Sequence, residues 1–339
     1  MFPDLIHAFG FVVTWHGVLI VLGIYAGMAV ATRLARARGL DVNRLSDLVF
    51  GAVLWGVVGA RVVYVLTSFD EFRGRGLLAM IDLRGGGLSF HGSILFGIGY
   101  LVYAQWRYRL SFYRYADLLV PGVALGIIGG RIGNFFNGSD TVGRLTGWPI
   151  GFTWPEAGEP FLGFVNPRNW ASFSDLCYRP GGTTITSMSG LAECTGGVLL
   201  RGPVHLTQLY GAVTGLVIVI ASIWWLRSRR PGWAFWNLVL WYSILRSTIE
   251  EPFRLNPLWW KVYLNEGPNA PGIGLFTATQ LFSIPLIVAA VVMLVLIRRR
   301  APDPVPDATS AGPQVGDRLG SALLPKLQAG PLGRTGGKP

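Results

Sequence analysis

Charge is what this chain has least of. Of 339 residues, 14% are Asp, Glu, Lys or Arg and 51% are hydrophobic, with a mean hydropathy of +0.44. A soluble domain carries roughly 25% charged residues, so an ordinary soluble enzyme of this length is excluded. Lysine is nearly missing, with Lys261, Lys326 and Lys338 set against arginines along the whole chain. The net charge of +11 therefore comes from Arg, placed in short clusters beside apolar runs. That placement fits membrane topology and anionic headgroups, and the basic-aromatic pattern of a nucleic-acid reader is absent, so no nucleic-acid partner is expected. The two cysteines, Cys177 and Cys194, lack metal-site spacing. The first ten residues contain neither Lys nor Arg nor a small-residue cleavage site, unlike a cleaved signal peptide. Neither an internal repeat nor the inverted, broken helices of a transporter are visible.

Long apolar runs are present instead. About seven segments reach the roughly 20 residues needed to cross a bilayer: about 11–33, 46–67, 88–106, 116–136, 206–226, 233–250 and 274–297. Arg clusters follow the first, third, fifth and last of them, at Arg33–Arg44, Arg107–Arg114, Arg227–Arg230 and Arg298–Arg300. Alternating spans put all four clusters on one side, which the positive-inside rule makes the cytoplasm. The expected fold is an all-α polytopic membrane protein, a bundle of about seven transmembrane helices with its N-terminus outside and its C-terminus inside. Residues 1–300 form the membrane domain, residues 137–205 an outside head insertion, and residues 301–339 a Pro- and Gly-rich disordered cytoplasmic tail. Cys177 and Cys194 both fall in the head, where an oxidising exterior favours a disulfide over two free thiols.

Polar residues inside the spans gather toward one side. His16, Arg61, Tyr64, His91, Arg131, Asn134, Asn137, His205, Gln208, Tyr242, Arg246, Glu250 and Gln280 all fall in the outer halves. One cavity open to the outer leaflet accounts for this better than scattered snorkelling. Arg61, Arg131 and Arg246 face a single clear intramembrane carboxylate, Glu250, with Glu251 at the water boundary. Such excess positive charge suits an anionic ligand, and a lipid phosphate is the obvious one. His91, in Ser89-Phe90-His91-Gly92, is the first candidate for a proton acceptor. Tyr242, Arg246 and Glu250 recur at four-residue spacing, which also permits a self-satisfied ladder.

The run Gly130-Arg131-Ile132-Gly133-Asn134-Phe135-Phe136-Asn137-Gly138, followed by Gly143-Arg144, resembles the central motif of the prolipoprotein diacylglyceryl transferases. Ser89-Phe90-His91-Gly92 is similar to that family's histidine motif, and His205-Leu206-Thr207-Gln208-Leu209-Tyr210 to its His-Pro-x-Gln-Leu-Tyr-Glu segment. Tyr242 through Arg246 to Glu250 is similar to its sixth-helix pattern, and Gln280 to Pro285 to the start of its last helix. The resemblance implies a bacterial inner-membrane enzyme with a periplasmic head. Such an enzyme moves the diacylglyceryl group of phosphatidylglycerol onto the lipobox cysteine of a prolipoprotein signal peptide, without metal or cofactor. It also implies His91, Arg131 and Arg246 as catalytic residues. Arg61, Asn134, Asn137, Asp140, Arg144, Tyr242, Glu250 and Gln208 would bind substrate.

The chain departs from the pattern in four places. Ser139-Asp140 stands where the family has Glu after Gly138, and His16 replaces a Tyr between Trp15 and Gly17. Leu206 and Gly211 replace the Pro and Glu around Gln-Leu-Tyr. The run from Glu250 to Arg254 is one residue longer than usual. These departures leave a second reading, an impaired paralogue that binds anionic lipid or a lipoprotein precursor without turnover.

Overall fold

The computed structural model describes residues 4–8, 11–74, 76–82, 89–137, 143–154, 160–161, 164–165, 175–178, 185–186, 198–254, 258–264 and 273–303. A short antiparallel hairpin, β1 (Asp4–Ala8) and β2 (Phe11–Thr14), leads the chain. Thr14 ends it by capping α1 (Trp15–Ala37), its Oγ1 accepting from Gly17 N at 3.1 Å. Asp41 caps α2 (Val42–Thr67) in the same way, accepting from Asn43 N at 2.8 Å. A one-turn helix, α3 (Gly76–Ile81), precedes α4 (Phe90–Tyr108), and α5 (Phe112–Asn137) follows with Pro121 inside it.

Strand fragments β3 (Pro160–Phe161), β4 (Phe164–Val165), β5 (Asp175–Tyr178), β6 (Ile185–Thr186) and β7 (Val198–Arg201) come next. They pair as β3-β4 and as a β6-β5-β7 sheet. The chain then returns to helix in α6 (Thr207–Trp225) and α7 (Trp233–Leu245). A β8 (Leu258–Leu264)/β9 (Ile273–Thr277) hairpin leads into α8 (Ala278–Arg298). A reciprocal capping box starts that last helix. Gln280 N donates to Thr277 Oγ1 at 3.2 Å, and Thr277 N donates to Gln280 Oε1 at 3.1 Å.

A helix lies in each of the seven apolar segments. Among the described residues, five helices are long and apolar enough to cross a membrane: Trp15–Ala37, Val42–Thr67, Phe112–Phe136, Thr207–Ser228 and Thr279–Arg298. The expected boundaries need correction. Residues 11–14 and 274–277 are strand, because Thr14 and Thr277 set the helix starts. The sixth segment is α-helical only to Leu245 and continues as a π-helical turn over Arg246–Glu250. The chain is mostly helical, as the all-α expectation has it, with small antiparallel sheets in the connections. Cys177 lies on β5, while Cys194 and residues 304–339 lie outside the described residues.

Small residues set how the helices meet. α1 packs chiefly on α5, and α2 on α4. A Cβ on Gly27 would come within 2.6 Å of Gly122 Cα, and one on Gly129 would meet the Leu19 carbonyl. Such contacts let two backbones touch, the usual means of helix association where lipid supplies no hydrophobic drive. Gly27→Val is expected to spread α1 from α5 and lower the unfolding midpoint in detergent by several degrees, at roughly 1–3 kcal/mol. An unchanged melting curve would contradict this packing.

One end of the bundle is closed by Ala31, Ala35, Leu45, Leu48, Ala104, Tyr115 and Leu118. There Asp117 is buried and caps α7 from a neighbouring helix, accepting from Gly232 N and Phe235 N, each at 2.8 Å. The Arg clusters lie at this end, where Arg38 Nη2 donates to Leu226 O at 2.6 Å. The candidate site lies at the other end.

Candidate active site

Arg131 is placed by the last turns of α5 and Arg246 by the π-helical turn that continues α7. Both reach Glu250. Arg131 Nη2 lies 2.7 Å from Glu250 Oε1, and Arg246 Nη1 donates to the same oxygen. Arg246 Nη2 lies 3.4 Å from Glu251 Oε2. Arg254 joins from the next turn, 3.4 Å from Glu251 Oε2 and 3.9 Å from Glu250 Oε1. The two carboxylates are 1% exposed and the three guanidiniums 12–13%, so the cluster is withdrawn from solvent. Among the described residues its guanidiniums exceed its carboxylates by one positive charge. Burial, and after it the neighbouring Arg246 charge, lowers the Arg254 pKa from its ordinary value.

Sequence reasoning left Glu251 at the water boundary and did not enlist Arg254. Both belong to the buried cluster. The backbone over Arg246–Glu250 is a π turn, with Glu251 N donating to Arg246 O, and Glu251 follows Glu250 into the buried cluster. The substitution at Gly211 has a matching explanation. A Cβ there would lie 2.6 Å from Arg131 Nε and 2.7 Å from Glu250 Oε2. Where the motif of the resemblance has Glu, this chain leaves space, and the second carboxylate comes from Glu251.

A strap covers this end of the bundle. Gly143 bridges to Arg254, while Leu145 and Phe152 both bridge to Val204. Arg144 N donates to Phe253 O at 2.8 Å, and His205 N donates to Arg144 O at 2.9 Å. Arg144 is thereby fixed at 6% exposure beside the cluster. His205 is 3% exposed, boxed by Trp148, Phe253 and Tyr210, with Nδ1 2.9 Å from Tyr210 Oη. Burial lowers its pKa to about 4, so the ring is neutral at neutral pH and works as a structural hydrogen-bonder.

The remaining expected residues divide. Asn134 follows Arg131 at i+3 on α5, on the same face. Tyr242 lies one turn before Arg246 on α7, and Gln208 is buried in the first turn of α6. Gly133 admits α1 beside them, since a Cβ there would meet His16 Nδ1 at 2.8 Å. His91 and Asn137 lie at the N-terminus of α4 and the C-terminus of α5, and their side chains are outside the described set. Asp140 lies outside the described residues.

Arg61 Nε and Nη2 donate to the carbonyls of Met80 and Ala79 at 2.8 and 2.9 Å, and the guanidinium lies over the Phe72 ring at 5.3 Å. It ties α2 to the end of α3, because last-turn carbonyls need donors that lipid does not provide. Gln280 is likewise a staple, its Nε2 donating to Ser247 O at 3.0 Å.

A helical bundle with five helices long and apolar enough to cross a membrane among the described residues, holding a buried Arg–Glu cluster at one end, defines a multi-pass membrane protein. The chain belongs to the prolipoprotein diacylglyceryl transferase family, whose model matches residues 3–296. It is 48% identical over 313 residues to the phosphatidylglycerol–prolipoprotein diacylglyceryl transferase of Deinococcus radiodurans, covering 90% of this chain and 88% of that protein. It is 50% identical over 285 residues to the enzyme of the same name from Thermus thermophilus, covering 83% and 93%. The enzyme so named from Gloeobacter violaceus is 31% identical over 257 residues.

Proposed function

We propose that this chain transfers the diacylglyceryl group of phosphatidylglycerol to the lipobox cysteine thiol of prolipoproteins and releases glycerol phosphate. The observation that carries the reading is the buried cluster of Arg131, Arg246 and Arg254 on Glu250 and Glu251, with its excess positive charge. Glu250 orients both Arg131 and Arg246 and leaves donors on each for phosphate oxygens. The names of the relatives at 48–50% identity support the same substrates, and they weigh against an impaired paralogue.

The chemistry follows from which bonds change. The thiol gives its proton to His91, since the thiolate is the nucleophile. Sulfur attacks the diacylglyceryl carbon that bears the phosphate oxygen. A carbon–sulfur bond forms, the carbon–oxygen bond breaks, and the electron pair stays on the departing phosphate. Arg131 and Arg246 stabilise the charge that develops there, while Asn134, Asn137, Asp140 and Arg144 hold glycerol or phosphate oxygens. Tyr242 and Glu250 keep Arg246 in place, Gln208 lines the head-group side, and Arg61 secures the wall along which lipid arrives. The Arg-rich end faces the cytoplasm of a bacterial inner membrane. The N-terminus, the 137–205 head and the site face the periplasm, and residues 301–339 form a cytoplasmic tail.

Conditional complementation in bacteria depleted of their own transferase tests the reading, with lipidation of a reporter lipoprotein followed by mobility shift. The wild-type chain is expected to lipidate it. Arg131→Lys and Arg246→Lys keep the charge but lose the planar fork, so each is expected to cut transfer by ~10²-fold or more. Near-full activity in both variants would refute the phosphate clamp.

A further inference from the structure

Gln208 stands out because its amide is unpaired. The residue is 1% exposed, and among the described residues neither Oε1 nor Nε2 has a hydrogen-bond partner. Buried amides are nearly always paired, and an orphan persists where something outside the protein completes it. Its place in α6 says where that partner binds. Gln208 and Gly211 lie on one buried face, and Gly211 is the position that Arg131 Nε and Glu250 Oε2 pass. Helical side chains lean toward the helix N-terminus, so the Gln208 amide lies one turn nearer the bundle end than the ion pair. Thr214 Oγ1 on α6 and Ser247 Oγ on the π turn packed against α6 are also buried without partners. Unpaired polar atoms therefore flank the cluster.

Guanidiniums only donate, and they suit phosphate oxygens. A carboxamide both donates and accepts, as does an alcohol hydroxyl, so an amide beside a phosphate clamp matches a hydroxyl carried next to the phosphate. We propose that Gln208 is the head-group specificity residue of this site: its amide binds a hydroxyl of the alcohol esterified to the lipid phosphate, selecting a polyol head group over others of equal charge. This rests on the reading of the site as a phosphatidylglycerol-dependent transferase.

The test compares two anionic lipids with matched acyl chains, phosphatidylglycerol and phosphatidylethanol. They share the phosphate charge, and the second lacks head-group hydroxyls. Full-length wild-type protein and Gln208→Met, in mixed micelles with a lipobox peptide, are assayed for kcat/KM on each. Wild type is expected to prefer phosphatidylglycerol by about tenfold or more, the worth of one well-made hydrogen bond. Gln208→Met is expected to lose that preference by slowing on phosphatidylglycerol alone, with KM raised and the unfolding midpoint not lowered, since an unpaired amide has been removed. Equal use of both lipids by wild type overturns the proposal and leaves the transferase reading standing. So does a Gln208→Met enzyme that keeps the preference, or one that loses both activities together with stability, which marks a structural amide. Folded wild type that transfers from neither lipid overturns the transferase reading and this inference with it. The wild-type comparison does not depend on how the variant folds.

Discussion

Glu250→Ala is expected to yield little folded protein and no measurable transfer. The carboxylate is 1% exposed and is shared by Arg131 and Arg246, with Arg254 Nε 3.9 Å away. Removing one partner of a buried ion pair typically costs about 3–5 kcal/mol, because the charge left behind has neither water nor a counter-ion. Here Glu251 would be the remaining carboxylate among three guanidiniums. A domain with about 5–15 kcal/mol of net stability loses a large part of it in one step. Glu250→Gln separates the two roles of the side chain. It keeps the shape and one acceptor oxygen but not the charge, so it should fold better than the Ala variant. Its transfer rate should still fall by ~10²-fold, because Arg131 and Arg246 lose the group that aims them. Thermal unfolding in detergent, read beside lipidation of a reporter peptide, checks both statements. An Ala variant with wild-type stability and rate would show that the cluster is not the organising element of the site.

The members of this cluster were unequally legible in the sequence. Arg131 follows the run Leu118–Ile128, which carries no charge, and an arginine in such a place costs too much to be incidental. Tyr242, Arg246 and Glu250 announce themselves by four-residue spacing on one helix face. Glu251 could not be read that way, because an α-helical register turns it about 100° from Glu250, whereas Arg254 continues the four-residue spacing but lies beyond Pro252 and past the apolar segment. The π turn over Arg246–Glu250 brings both carboxylates inward, and a one-residue excess in the sequence does not say how the backbone absorbs it. Arg61 is grouped with the other arginines by depth and charge, and its hydrogen bonds to the α3 carbonyls become visible only once α2 and α3 are packed. The seven apolar segments located the helices because hydropathy reports burial in lipid directly. Their starts at Trp15 and Ala278 depended instead on Thr14 and Thr277, caps that an apolar window runs straight over. Gln208 was named as a substrate contact from its motif, whereas its missing hydrogen bonds are visible only once the helices are packed.

Gly143→Ala is expected to remove activity through the strap rather than through any charged group. An added Cβ would overlap the His205 carbonyl oxygen, with the carbonyl carbon at 2.6 Å and Cα at 2.9 Å. These are backbone atoms, and both chains are tied down. His205 N donates to Arg144 O at 2.9 Å, Arg144 N donates to Phe253 O at 2.8 Å, and Gly143 bridges to Arg254. Relief therefore requires the strap to move away from both partners, giving up hydrogen bonds worth about 1 kcal/mol each plus the strain of overpacking. The larger consequence is positional: Arg144 and Arg254 ride on this strap and its partner, and a shift of about 1 Å around the proposed phosphate clamp is expected to cost ~10²-fold in rate. Gly202→Ala is the control, since a Cβ there meets only the Leu145 Cδ2 at 3.5 Å, an ordinary contact. Transfer assays should show Gly143→Ala nearly inactive with a lowered melting point and Gly202→Ala close to wild type. Equal activity in the two variants would mean that the strap does not set the geometry of the cluster.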